Sequence, residues 1–193
     1  MSRLIETIRF SGGKFQNLER HIDRIVRSLD GQPRWSMDDV FAQPMPTGNQ
    51  VHKIRIVYDQ NFISVTTELY TIRPVRSLKL VTDNNIVYDR KYEDRKELEA
   101  LFAQRGDCDD VLIVKNGFIT DTSYANIILS SGDKWFTPET YLLNGTMRQY
   151  LLETGVIKAM PISPSDLKRF SRFKLINAML RDEARGSEVS NIR

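Results

Sequence analysis

One cysteine and two histidines stand among the 193 residues of this chain. A lone thiol cannot close an internal disulfide, and Cys108, His21 and His52 lack the clustered spacing of a zinc site. A disulfide framework and a structural metal are therefore both set aside, and Cys108 reads as a small side chain, buried or half-buried. Long apolar runs are missing too. No stretch approaches the roughly 18 uncharged apolar residues of a membrane span, and the opening MSRLIETIRF is too polar for a secretory signal. The expectation is a soluble, cytoplasmic protein. Nor is there an excess of one charge: 28 basic and 25 acidic residues are interspersed and leave a formal +3. A nucleic-acid binder usually gathers its basic residues into a stripe, so neither nucleic acid nor a membrane is expected as a partner.

What is present is enough apolar residue, 40% of the chain, for one substantial core or two small joined ones. Leu4 to Phe10 suits a strand and Ser11-Gly12-Gly13-Lys14 a hairpin turn. Asn17 is a candidate cap for a helix in which Leu18, Ile22, Ile25, Val26 and Leu29 recur at helical spacing up to Gly31. Arg24 lies beside that apolar stripe. Two β-rich runs, His52 to Tyr58 and Phe62 to Ile72, flank an Asp59-Gln60-Asn61 turn and should pair. Pro74 lacks a backbone donor and restrains its neighbour, which makes residues 74–77 the expected linker after a small α/β domain at 1–73.

Residues 78–183 are expected to form a β-rich α/β domain. Leu78 to Val81 reads as a strand and Glu93 to Gln104 as a helix, with Lys91 just before it. Val111 to Val114 and Phe118 to Thr120 flank Asn116-Gly117, a pair that takes up the positive φ angles of a type I′ hairpin turn readily. Strands are expected near Asn126 to Leu129, Trp135 to Thr137 and Phe173 to Ala178. A helix is expected from Met147 to Thr154, ended by Gly155, and a short one opened by Ser163-Pro164-Ser165-Asp166. From Ala184 onward the polar tail, 184–193, reads as frayed.

Several segments, in this order, resemble the class IV aminotransferase family, which contains branched-chain and D-amino-acid aminotransferases and 4-amino-4-deoxychorismate lyase. His21-Ile22-Asp23-Arg24-Ile25 resembles the family's H-x-x-R-[LI] helix. Lys91, in Arg90-Lys91-Tyr92-Glu93, matches its Schiff-base lysine. Gly117 to Asn126 resembles G-x-[IV]-x-E-x-x-x-x-N, with Asp121 where the family has glutamate. Leu143-Asn144-Gly145-Thr146-Met147-Arg148-Gln149 resembles the phosphate loop in the form closest to the lyase, as does Ile176-Asn177-Ala178-Met179.

The resemblance implies a two-domain fold type IV architecture of the α/β (α+β) class, like that of D-amino-acid aminotransferase, with pyridoxal 5'-phosphate as cofactor and a homodimer as the assembly. It makes Lys91 the catalytic tether and acid/base. It assigns the cofactor to Arg24, Asp121, Asn126, Gly145, Thr146, Met147, Asn177 and Ala178. A protonated ring nitrogen makes pyridoxal an electron sink, and a neighbouring carboxylate favours that proton. Arg24 and the amides opening a helix at Thr146 and Met147 suit a dianionic phosphate. Arg9, Arg55 and Arg148 are candidates for a substrate carboxylate.

The preferred reading is a lyase of folate biosynthesis that converts 4-amino-4-deoxychorismate to 4-aminobenzoate and pyruvate. The alternative is an aminotransferase acting on branched-chain or D-amino acids; a non-catalytic homologue that binds the cofactor or a small acid is the third. Two departures bear on this choice. Asp121 is one methylene shorter than the family glutamate, and the chain opens almost at Ile5-Glu6-Thr7-Ile8-Arg9, where family members commonly carry a longer preceding segment. Taken alone, Lys91 would be a solvated surface lysine, Asp121 a turn carboxylate and His21 a satisfied helix histidine.

Overall fold

The computed structural model describes residues 2–29, 31–180 and 186–193. They divide into two compact units, the first made of Met1–Ile72 with Arg90–Asp94, the second of Arg73–Asp89 with Arg95–Arg193. The stretch containing Lys91, expected on sequence in the C-terminal domain, thus clusters with the N-terminal one. No helix among the described residues is long and apolar enough to cross a membrane.

In unit 1, strands β1 (Leu4–Ser11), β2 (Lys14–Phe15), β3 (His52–Tyr58) and β4 (Phe62–Leu69) form an antiparallel sheet in the order β2-β1-β3-β4. Successive strand residues point to opposite faces, so Leu4, Ile8 and Phe10 reach one core together with Ile54, Ile56 and Tyr58. Helix α1 (Leu18–Ser28) adds Ile25, and Leu29, Trp35 and Val40 join the same core. The short helix α2 (Met37–Phe41), which the sequence reading lacked, is held by a reciprocal capping box between Ser36 and Asp39.

Helix α1 departs from the expected pattern in two ways. Asn17 takes the left-handed conformation, φ 52°, and makes no side-chain cap bond. Val26, expected in the apolar stripe, is 37% exposed, whereas His21, Arg24 and Ser28 are buried. A polar group tolerates burial only when it has partners, and Glu6 on β1 is a partner of both His21 and Arg24.

Unit 2 is an eight-stranded sheet built on the order β10-β9-β8-β7-β6-β5. Strands β5 (Leu78–Thr82) and β6 (Asp110–Lys115) run parallel, and the crossover between them contains helix α3 (Lys96–Ala103). Strands β6 and β7 (Phe118–Thr122) form the expected hairpin, with Asn116 at φ 52° and Gly117 at φ 82°. Strand β8 (Asn126–Ser131) meets β7 only where Asn126 faces Asp121, and otherwise pairs with β9 (Lys134–Pro138) and β11 (Arg172–Ile176). Helix α4 (Thr146–Glu153) is the crossover from β9 to the parallel strand β10 (Ile157–Met160). Its N-terminus therefore follows the carboxyl end of β9, the side of such a unit where ligands bind.

Ile127, Leu129, Leu112, Ile119, Leu175 and Phe173 fill the core of unit 2. The C-terminal tail is not frayed where the structure describes it; residues 184 and 185 lie outside the described residues. Ser187–Glu188 form β12 against β11, Val189 is buried, and Ile192 bridges to Leu78. Leu80 donates its amide to Arg193 O (2.6 Å) and Arg193 donates to Leu78 O (2.9 Å), so the tail covers the outer edge of β5. Helix α3 starts at Lys96 rather than Glu93, and β4 stops at Leu69 rather than Ile72.

Candidate active site

In unit 1 the candidate residues are arranged around β1. Glu6 lies among Leu4, Ile8 and Phe10 on the core side of the strand and is fully buried. Arg24 donates from Nε to Glu6 Oε1 and from Nη2 to Oε2, both at 2.6 Å, and the ring nitrogen Nδ1 of His21 lies 2.6 Å from Oε2. His21 and Arg24 are three residues apart and share one face of α1. Burial works against a charged Glu6, yet the Arg24 and His21 charges and hydrogen bonds outweigh it and hold the carboxyl down at about 2. Glu6 therefore only accepts, and His21 Nδ1 carries the proton between them.

The neighbouring residue of β1 holds the lysine. Ile5 donates its amide to Lys91 O (2.9 Å), Glu93 donates to Arg3 O (2.9 Å), and Leu4 bridges to Tyr92. Half-buried Lys91 is thus attached to a strand rather than carried on a loose loop. Arg9, further along β1, is buried and sits opposite Lys53 on β3. Arg55 faces Thr7 across the sheet and lies 3.5 Å from Glu93 in an ion pair.

In unit 2 the buried carboxylate of Asp121 accepts from Asn126 Nδ2 (2.7 Å), Leu142 N (3.0 Å) and Leu143 N (2.9 Å). Asn126 also donates to Leu143 O (3.0 Å), so Asp121 and Asn126 together hold the segment leading into α4. Burial pushes the Asp121 carboxyl up to about 6, against the lowering effect of those hydrogen bonds and of the Arg148 charge. Gly145 caps α4 and approaches Asn126 so closely that a Cβ there would lie 2.2 Å from Asn126 Oδ1. The first turn of α4 contains no acidic residue. The amides of Thr146 and Met147 thus carry the positive end of the helix without a competing charge.

Two residues singled out on sequence prove to shape the backbone. Arg148 is buried and donates to Asn144 Oδ1 (3.1 Å) and to the carbonyls of Pro138 (2.9 Å) and Glu139 (3.4 Å), with its guanidinium 4.6 Å from the Tyr141 ring centre. Those contacts tie the β9–α4 loop together. Asn177 Oδ1 accepts from Met179 N and Leu180 N, both at 2.9 Å, closing a turn on which half-buried Ala178 sits. Asp110, at the start of β6, anchors the Ser123 turn by accepting from Ser123 Oγ (3.0 Å).

Glu6 escaped the sequence reading. The available signal was its alternation with Leu4, Ile8 and Phe10, since a carboxylate on the core face of a strand demands a cationic partner.

Each unit by itself holds residue types that suit part of a pyridine ring bearing an aldehyde and a phosphate. In unit 1, Lys91 carries an amine and Arg24 a guanidinium. Asp121 is a buried carboxylate that gains from any cation brought to it, and the α4 N-terminus is free of acid.

The class IV amino-transferase family model matches residues 93–181. A Haemophilus influenzae protein of uncharacterised function is 38% identical over 185 residues, covering 93% of this chain and 98% of its own. Among solved structures, a proposed 4-amino-4-deoxychorismate lyase from Haemophilus somnus 129PT is 30% identical with a TM-score of 0.87, covering 93% of this chain and 97% of that one. An aminotransferase from Brucella abortus, solved with pyridoxal phosphate bound, shares the fold at 15% identity and a TM-score of 0.75, covering 98% and 81%. With its segments in the family's order and its length matched almost end to end by these relatives, the chain belongs to the class IV aminotransferase family and has its fold type IV architecture.

Proposed function

We propose that this protein is a pyridoxal-phosphate-dependent lyase that converts 4-amino-4-deoxychorismate to 4-aminobenzoate and pyruvate. The observation that carries this reading is the lyase-like Asn144-Gly145-Thr146-Met147-Arg148-Gln149 segment, seated at the acid-free start of α4, together with the likeness to the Haemophilus somnus protein over nearly the whole chain. Pyridoxal phosphate, when bound, supplies an aldehyde that takes up an amine and a ring that accepts an electron pair. Lys91 provides the amine that tethers it and then moves a proton at the amine-bearing ring carbon of the substrate. Loss of that proton and of pyruvate leaves an aromatic ring, which favours the elimination. Asp121 keeps a proton on the pyridine nitrogen, Arg24 and the Thr146 and Met147 amides hold the phosphate, and Asn126 and Gly145 keep the cradle in shape. Arg9, Arg55 and Arg148 remain the candidates for the substrate carboxylates.

The test is incubation of the loaded protein with 4-amino-4-deoxychorismate, with 4-aminobenzoate and pyruvate quantified together. Equal amounts of both are expected, with at least about a 100-fold loss in Lys91→Ala. Amino transfer to a 2-oxo acid without pyruvate release would replace the lyase with an aminotransferase. Full turnover by Lys91→Ala would remove the lysine from the chemistry.

A further inference from the structure

We infer that Glu6 is a positioning residue for the cofactor phosphate: its buried carboxylate, clamped on one side by His21, fixes the plane and reach of the Arg24 guanidinium. The inference rests on the reading of Arg24 as a phosphate grip and extends it to a residue that never touches the ligand.

The geometry is specific. Arg24 approaches Glu6 through Nε and one terminal nitrogen, each on its own carboxylate oxygen at 2.6 Å. Such a two-point contact fixes both the direction and the roll of the planar group, which a single contact would leave free to turn. Further guanidinium donors lie outside this pair, so fixing the plane also fixes where they point. Glu6 is in turn immobilised: it is fully buried on β1, and His21 Nδ1 lies 2.6 Å from the oxygen that receives Arg24 Nη2. A strand carboxylate, a helix histidine and a helix arginine one turn further on form one unit with little freedom to rearrange. The carboxylate also has an electrostatic effect. By neutralising Arg24 in the empty protein, it makes burial of that cation tolerable, so the arginine stays in place before any phosphate arrives. The same strand places the lysine, since the amide of Ile5, next to Glu6, is bonded to Lys91 O. Glu6 therefore orients the phosphate end of the site from the strand to which the amine is attached.

Pyridoxal, which lacks the phosphate, separates positioning from simple loss of structure. The affinities of wild type, Glu6→Gln and Arg24→Gln for pyridoxal phosphate and for pyridoxal are compared by absorbance titration, with thermal melting as the check on folding. In Glu6→Gln we expect pyridoxal phosphate to bind about tenfold more weakly or worse, the scale of one lost charge-assisted bond. Pyridoxal should bind within about twofold of wild type, and borohydride should still fix it to Lys91. Unchanged pyridoxal phosphate affinity, or equal loss for both compounds, overturns the inference. If Glu6→Gln does not fold, Glu6→Asp keeps the charge and draws the guanidinium back by one methylene; a folded Glu6→Asp with wild-type preference for the phosphate overturns it as well. Arg24→Gln separates the two levels. If it leaves the preference for the phosphate intact, the assignment of Arg24 fails; if it abolishes that preference while the Glu6 variants keep it, only the role of Glu6 fails.

Discussion

At the scale of single residues the candidate site is crowded, and the crowding makes firm demands. Gly145 has ordinary backbone angles, φ −65° and ψ 143°, so its lack of a side chain answers to space rather than to conformation. Gly145→Ala would drive a methyl into Asn126 Oδ1, displacing the side chain that bonds both Asp121 and Leu143 O. A loss of about 2 kcal/mol of stability is expected from one buried and one part-buried hydrogen bond broken, with local strain. Denaturant unfolding would show it, and a stability unchanged by the methyl would mean that Asn126 turns aside without cost. Lys91, Asp121 and Arg24 stand out in the sequence because each sits in a short motif of fixed spacing. Glu6 does not, because its meaning depends on residues fifteen and eighteen positions away, brought to it only when α1 packs on β1. The carbonyl contacts of Arg148 were hidden for the same reason: its motif does not announce that the guanidinium turns toward Pro138 O and Glu139 O.

Among elements, legibility followed the range of the interactions. The β6–β7 hairpin was readable since Asn116 and Gly117 carry its turn within themselves. The segment after Gly186 looked like a polar tail because nothing nearby orders it; its partners are β11 and the β5 edge, the latter more than a hundred residues earlier. A bare sheet edge invites pairing with another chain. Val189→Asp would place a charge among the core residues that seat this segment, costing about 2 kcal/mol or more. The uncovered β5 should then promote association on mild heating, visible as light scattering below the wild-type threshold. Scattering and melting identical to wild type would show that the tail contributes nothing to protecting that edge.

For the whole molecule, two buried carboxylates set opposite trends of stability with pH. Glu6 is held at about 2 in the folded chain, below its usual 4.5, so its contribution is complete above that usual value and is lost as pH falls toward 2. Asp121 stands at about 6 against 3.8, so the folded chain holds its proton more tightly than the unfolded one, and stability declines as pH rises between those values. The unfolding free energy of the wild type relative to Asp121→Asn should therefore fall by about 3 kcal/mol between roughly pH 3.5 and pH 7, with the change of Glu6 largely cancelling in the difference. A difference that stays flat over this range would mean that Asp121 is ionised throughout. The general architecture was readable from the order of the motifs. The allotment of Arg90–Asp94 to unit 1 was not, because it rests on backbone hydrogen bonds to β1 that no local pattern announces.

Those same bonds bear on how the lysine can move. With Lys91 O bonded to Ile5 N and Glu93 N bonded to Arg3 O, the Lys91 main chain cannot shift unless the ladder opens. The travel of its amine is left to the side-chain torsions. The amide hydrogens of Ile5 and Glu93 trade with deuterium only during such openings. Their exchange rates therefore act as a clock for how long the lysine stays anchored, readable without any turnover.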